Sequence, residues 1–132
     1  MSDQRPGFVN SRIKAFGYAF SGWWYVIRSQ RNAWIHMVVS IAVILLSLIL
    51  RISLIGWAVI ILAIALVWIA EFLNTALEAV VDLASPEQHP LAKVGKDVGA
   101  AAVLIAALAA ILIGLLIIGP PLLATLRKIL GF

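Results

Sequence analysis

The chain has 132 residues, 64% of them hydrophobic and 12% charged, with a net charge of +4. A soluble domain carries about 25% charged residues and about half apolar ones, so composition excludes a water-soluble globule and makes lipid the second solvent. Cysteine is absent, which removes disulfide scaffolds and thiolate chemistry, and no nucleic-acid partner is expected.

The first residues, Met1 to Ser11, are polar, and the next stretch is amphipathic. No cleavable signal is read there, so the segment is expected to stay in the mature protein. Residues 10–29 read as an amphipathic surface helix. Ile13, Phe16, Tyr18, Phe20, Trp23, Trp24 and Ile27 give it apolar bulk, while Arg12, Lys14, Ser21 and Arg28 give it polarity. Trp and Tyr favour the headgroup zone and basic side chains favour anionic lipid, so a plain anchor and a part in a binding site both fit.

Residues 33–50 form the first expected membrane span, with only His36, Ser40 and Ser47 polar. Arg51, Ser53 and Gly56 mark a tight connection. Residues 54–83 form the second span. Its first half is bland, and its second half carries Glu71, Asn74, Glu78 and Asp82. Ala84-Ser85-Pro86 breaks it, because proline cannot continue a helix interior. A short polar loop leads to a third span at 96–118. Gly119-Pro120-Pro121 is expected to end that span, leaving 122–132 as an interfacial tail. The expected fold class is therefore all-α and integral to the membrane: three transmembrane helices plus an N-terminal surface helix, in one domain.

Basic residues near span ends set orientation. Arg5, Arg12, Lys14, Arg28, Arg31, Lys93 and Lys96 share one side; Arg51, Arg127 and Lys128 lie on the other. The richer side, with the acidic end of the second span, is expected to face the cytoplasm.

Ionisable side chains inside a membrane segment are costly and mark function by default. Glu71, Asn74, Glu78 and Asp82 are spaced by three, four and four residues, which places them within about 80° of one helix face. Three carboxylates on one stripe repel each other and call for a cation or basic partners. Hard oxygen ligands suit Mg²⁺, which completes its shell with water and nucleotide phosphates. A helix beginning at Lys96-Asp97 would offer free N–H groups to phosphate. An interhelical polar network or a proton path would use the same stripe. A proton path does not require the Lys96-Asp97 pair, however, and Leu54 to Ala70 offers it no polar continuation.

The segment Glu71-Phe-Leu-Asn74-Thr-Ala-Leu-Glu78-Ala-Val-Val-Asp82 resembles the signature of the small prokaryotic membrane lipid kinases, the diacylglycerol and undecaprenol kinase family. Lys96-Asp97 with the following Gly-Ala-Ala-Ala-Val-Leu-Ile, and Lys14-Ala-Phe-Gly-Tyr18-Ala-Phe-Ser-Gly22, are similar to it as well. The resemblance runs from about Phe8 to Pro121 and implies a homotrimer with shared sites at the inner-membrane surface. It implies transfer of a phosphoryl group from ATP, with Mg²⁺, to the hydroxyl of a membrane lipid. In that frame Glu71 is the general base and Asn74 positions the reacting groups. Glu78 holds Mg²⁺, Lys96 binds phosphate, and Asp82, Asp97 and Tyr18 help hold the nucleotide.

Two positions depart from the family. Gln30 stands where many relatives carry a second metal-binding glutamate, so it can offer an amide oxygen but no charge. Ser11 stands at the family's N-terminal arginine, with Arg12 beside it as the substitute. Asn32-Ala-Trp-Ile-His36, the Ser85–Lys93 loop and Gly119-Pro120 look more like the undecaprenol kinase branch, which favours undecaprenol over diacylglycerol. His36 and His89 read as structural or supporting groups, and Lys93 as a solvated charge. A non-enzymatic proton-conducting or scaffolding bundle is the alternative of a different class.

Overall fold

The structure, a computed structural model, describes residues 8–85, 87 and 89–131, with side chains from residue 12 onward. Arg5, Pro86 and Gln88 lie outside the described residues. Among the described residues four helices follow in order: α1 (Phe8–Ser29), α2 (Arg31–Ile49), α3 (Leu54–Ala84) and α4 (Pro90–Leu130). Helices α2, α3 and α4 are each long and apolar enough to cross a membrane. Large apolar side chains such as Leu54, Leu83 and Leu116 point outward along them. A chain that hides its backbone polar groups in helices and turns leucine outward is built for hydrocarbon. This is a membrane protein.

Residue Gln30 is the single non-helical residue between α1 and α2. Its backbone is extended (φ −107°, ψ 118°), and its side chain makes no cap bond to α2. The side chain is therefore available to a neighbouring helix. On α1, Val26 and Ile27 are buried while Phe16, Tyr18 and Phe20 are exposed, and Arg28 stacks over Trp24 at 4.5 Å. Amphipathic periodicity accounts for this division.

The α2–α3 turn is tight. Arg51 takes a left-handed backbone (φ 50°), and the Ile52 N–H reaches back to the Ser47 carbonyl at 3.3 Å. Ser53 then caps α3, its Oγ accepting from the Gly56 N–H at 3.1 Å. The most extensive contact joins α3 and α4. Glycine lets them close at two levels. A Cβ on Gly56 would lie 3.2 Å from Ile117, and one on Gly99 would collide with Asn74 and press Leu77 at 3.2 Å. Between these levels Ile60, Ala63 and Val67 of α3 and Val103 of α4 are buried.

The start and end of α4 correct the sequence expectation. The helix begins at Pro90, not near Lys96, because His89 caps it: His89 Nδ1 accepts from the Leu91 N–H at 3.2 Å, and proline suits a first turn. Lys96 and Asp97 thus lie about 9 Å inside the helix, at 1.5 Å per residue, and no helix N-terminus stands at them. At the other end α4 passes through Pro120 and Pro121 to Leu130. Neither proline has an N–H to give the carbonyls four residues earlier. Membrane helices tolerate this; one turn further on, Thr125 Oγ1 donates to the carbonyl of Pro121 at 2.8 Å, which is not one of the two freed carbonyls. Gly131, left-handed at φ 76°, ends the helix.

Candidate functional site

Helix α3 has 31 residues, so it is about 46 Å long, whereas the hydrocarbon core needs about 30 Å. If the span begins at Leu54, about twenty residues reach Leu73. The surplus, Asn74 to Ala84, projects toward the interface together with the first turns of α4. Glu71 sits at the boundary, and Asp82 lies about 16 Å further out along the axis.

The deep end is buried. Glu71 is 1% exposed, and its Oε2 lies 3.8 Å from His36 Nε2 on α2. Neither atom has a hydrogen-bond partner. Thr75, also buried, turns its hydroxyl back to the Glu71 carbonyl at 2.9 Å. An aromatic cluster closes this end. Trp68 stacks on Trp23 of α1 with ring centroids 5.2 Å apart, Phe72 packs against both, and His36 meets Trp68 edge-on at 6.5 Å. Trp68 Nε1 donates to Ser40 Oγ at 3.3 Å, which ties the cluster to α2.

The middle of the stripe is a clamp on Glu78. Asn74 Nδ2 donates to Glu78 Oε1 at 3.0 Å, and Gln30 Nε2 donates to Glu78 Oε2 at 2.9 Å. Two neutral amides, one from the α1–α2 junction and one from the preceding turn of α3, fix both carboxylate oxygens. Asn74 Oδ1 is buried, has no hydrogen-bond partner and faces Gly99.

At the outer end Asp82 pairs with Lys96 across the α3–α4 loop. These two, with Asp97, Lys93, His89 and Glu87, line an open cavity of about 740 Å³. A second cavity of about 430 Å³ runs between α2, α3 and α4 and is lined almost wholly by apolar side chains. His36 and Ser40 are its polar members.

The fold thus brings together Gln30, Asn74 and Glu78, and separately Asp82, Lys96 and Asp97. Tyr18, 74% exposed, and Arg12 lie on α1 and line neither cavity. Among the described residues, no three His, Cys, Asp or Glu side chains gather in metal-binding proximity. The donor chemistry still fits Mg²⁺ arriving with a nucleotide, which needs one or two carboxylates from the protein, and Glu78 is a carboxylate held ready. Gln30 now presents its N–H to Glu78, so ligation by Gln30 would require its amide to turn.

Residues 17–118 match the family model for prokaryotic diacylglycerol kinase. The chain belongs to that family. Curated members are membrane lipid kinases, and three illustrate the range. A diacylglycerol kinase of Synechocystis is 45% identical over 113 residues, covering 85% of this chain and 65% of the relative's own length. The undecaprenol kinase of Bacillus subtilis is 40% identical over 114 residues, covering 86% of this chain and 93% of the relative. The diacylglycerol kinase of Escherichia coli is 38% identical over 119 residues, covering 85% and 91%. For this prokaryotic diacylglycerol kinase homologue, sequence reasoning missed the His36–Glu71 approach, the amide clamp from Gln30 and the Trp23–Trp68 stack. Each joins residues far apart in the chain, so spacing along one helix carries no signal of it.

Proposed function

We propose that the protein transfers the γ-phosphoryl group of ATP, with Mg²⁺, to the primary hydroxyl of a membrane lipid, undecaprenol being favoured. The observation that carries this reading is the ordered array on α3: a buried carboxylate, a clamped carboxylate and an ion-paired carboxylate, from the membrane boundary outward. Phosphoryl transfer asks mainly for positioning and charge neutralisation, which such an array supplies.

The lipid tail lies in the apolar cavity between α2, α3 and α4, which brings its hydroxyl to Glu71 beside His36. Glu71 takes the hydroxyl proton; the oxygen bonds to the γ-phosphorus, the bond to the β-phosphate bridging oxygen breaks, and ADP leaves. Asn74 positions the reacting groups. Lys96 meets phosphate, while Asp82, Asp97 and Tyr18 help hold the nucleotide, with Arg12 as a further contact from α1. Glu78, with Gln30, would hold Mg²⁺, which supplies neutralisation of phosphate charge. The excess of basic residues at this end supports an orientation in which it and the N-terminus face the cytoplasm, at the inner membrane. The site is shared between copies in a homotrimer, as the family resemblance implies. A diacylglycerol acceptor is the second reading, favoured by the name of the Synechocystis relative.

The test is radiolabelled ATP with undecaprenol and diacylglycerol offered separately in mixed micelles, followed by lipid extraction. Labelled undecaprenyl phosphate as the main product is expected. Labelled phosphatidic acid as the main product would establish the second reading, and no labelled lipid from either would remove both.

A further inference from the structure

We propose that His36 is a positioning residue for the base: its Nε2–H donates to Glu71 Oε2, which turns the other carboxylate oxygen toward the lipid hydroxyl. This deepens the proposed function and rests on it.

Three observations converge. First, His36 Nε2 and Glu71 Oε2 are both buried, both lack a hydrogen-bond partner, and lie 3.8 Å apart. That is beyond hydrogen-bond length, and a movement of less than about 1 Å by either side chain closes it. Two buried polar atoms of matching type, each without another partner, belong together. Second, the His36 ring packs against a supported neighbour. It meets Trp68 edge-on, and Trp68 is fixed by its bond to Ser40 and its stack on Trp23. The residues that aim His36 thus come from α1, α2 and α3 together. Third, His36 is one of the two polar members of the apolar cavity assigned to the lipid tail, so it stands where a lipid headgroup meets the base. A carboxylate with one oxygen held by a donor presents the other in a fixed direction, the second-layer arrangement that orients reactive groups elsewhere. Among the described residues, Thr75 bonds only the Glu71 backbone, which leaves His36 as the side chain positioned to hold its carboxylate.

The test compares His36→Gln, His36→Asn and His36→Leu in the full-length protein in mixed micelles, with Glu71→Gln alongside. The glutamine amide nitrogen reaches the place of Nε2, whereas that of asparagine reaches only the place of Nδ1. His36→Gln is expected to keep kcat within about threefold. His36→Asn and His36→Leu are expected to lower kcat by about 10- to 100-fold, the usual effect of losing such a support. KM for ATP and melting temperature should be unchanged in all three. ¹⁵N NMR of the wild-type imidazole should show the proton on Nε2. Full kcat in His36→Leu, equal losses in His36→Gln and His36→Asn, losses that track melting temperature, or a proton on Nδ1 alone would each overturn the assignment. The two levels separate cleanly. If Glu71→Gln is inactive and His36→Leu is fully active, only the role of His36 fails. If Glu71→Gln is itself active, the base assignment fails and this inference with it.

Discussion

Asn74 and Gly99 face each other across the α3–α4 contact so closely that glycine alone leaves room for the Asn74 amide. That amide is one of the two holding Glu78. Packing between two membrane helices is thereby coupled to the orientation of a carboxylate in the candidate site.

Gly99→Ala places a Cβ against Asn74 Oδ1 and Leu77. Overpacking of this kind costs about 1–3 kcal/mol. Asn74 must turn, which frees one oxygen of Glu78. Lipid phosphorylation should fall by about tenfold or more, with a higher Mg²⁺ requirement, while a Gly95→Ala control changes little, because a Cβ there meets only Val81 at an ordinary 3.7 Å. Activity as a function of Mg²⁺ concentration checks both.

Gln30→Glu replaces a neutral donor 2.9 Å from Glu78 by a second carboxylate. Like charges at that distance disfavour each other without a cation. With divalent metal the pair becomes a stronger hard-oxygen site. Melting temperature should drop in chelator and recover with Mg²⁺, and the Mg²⁺ concentration for half-maximal activity should fall below the wild-type value. A thermal-shift titration with Mg²⁺ reads the first effect directly.

Lys96→Met removes the ion pair with Asp82 at the open cavity. Both side chains are substantially exposed, at 40% and 64%, so solvent screening keeps the stability loss below about 1 kcal/mol. The effect should instead appear in KM for ATP, raised about tenfold or more, with KM for the lipid unchanged. Steady-state kinetics with each substrate varied in turn separates the two.

Much of this architecture was legible in the sequence. Long apolar runs announce three membrane helices, and the 3-4-4 spacing puts Glu71, Asn74, Glu78 and Asp82 on one helix face. The bounds of α4 were not legible. Pro120-Pro121 reads as a stop in water, but in α4 the helix continues through them, and His89-Pro90 reads as loop until His89 is seen capping. Partners across helices were hidden for a different reason. Gln30 reaches Glu78 from the junction of α1 and α2, and His36 approaches Glu71 across α2 and α3 beside the Trp68–Ser40 bond and the Trp68–Trp23 stack. Local periodicity contains no information about such contacts. The aromatic residues read as headgroup anchors divide accordingly: Trp24 sits under Arg28, whereas Trp23, also exposed, stacks on Trp68 of α3.

The central claim is that the buried carboxylate at the membrane boundary takes the proton of a lipid alcohol. Single-turnover transfer of labelled phosphate from ATP to undecaprenol, measured for wild type, Glu71→Gln and Glu78→Gln at saturating Mg²⁺, tests it most directly. The account predicts that both variants fold and still melt cooperatively, that Glu71→Gln binds ATP normally yet transfers at least about 100-fold more slowly, and that Glu78→Gln loses the metal response as well. Near-wild-type transfer by Glu71→Gln in folded protein would contradict it.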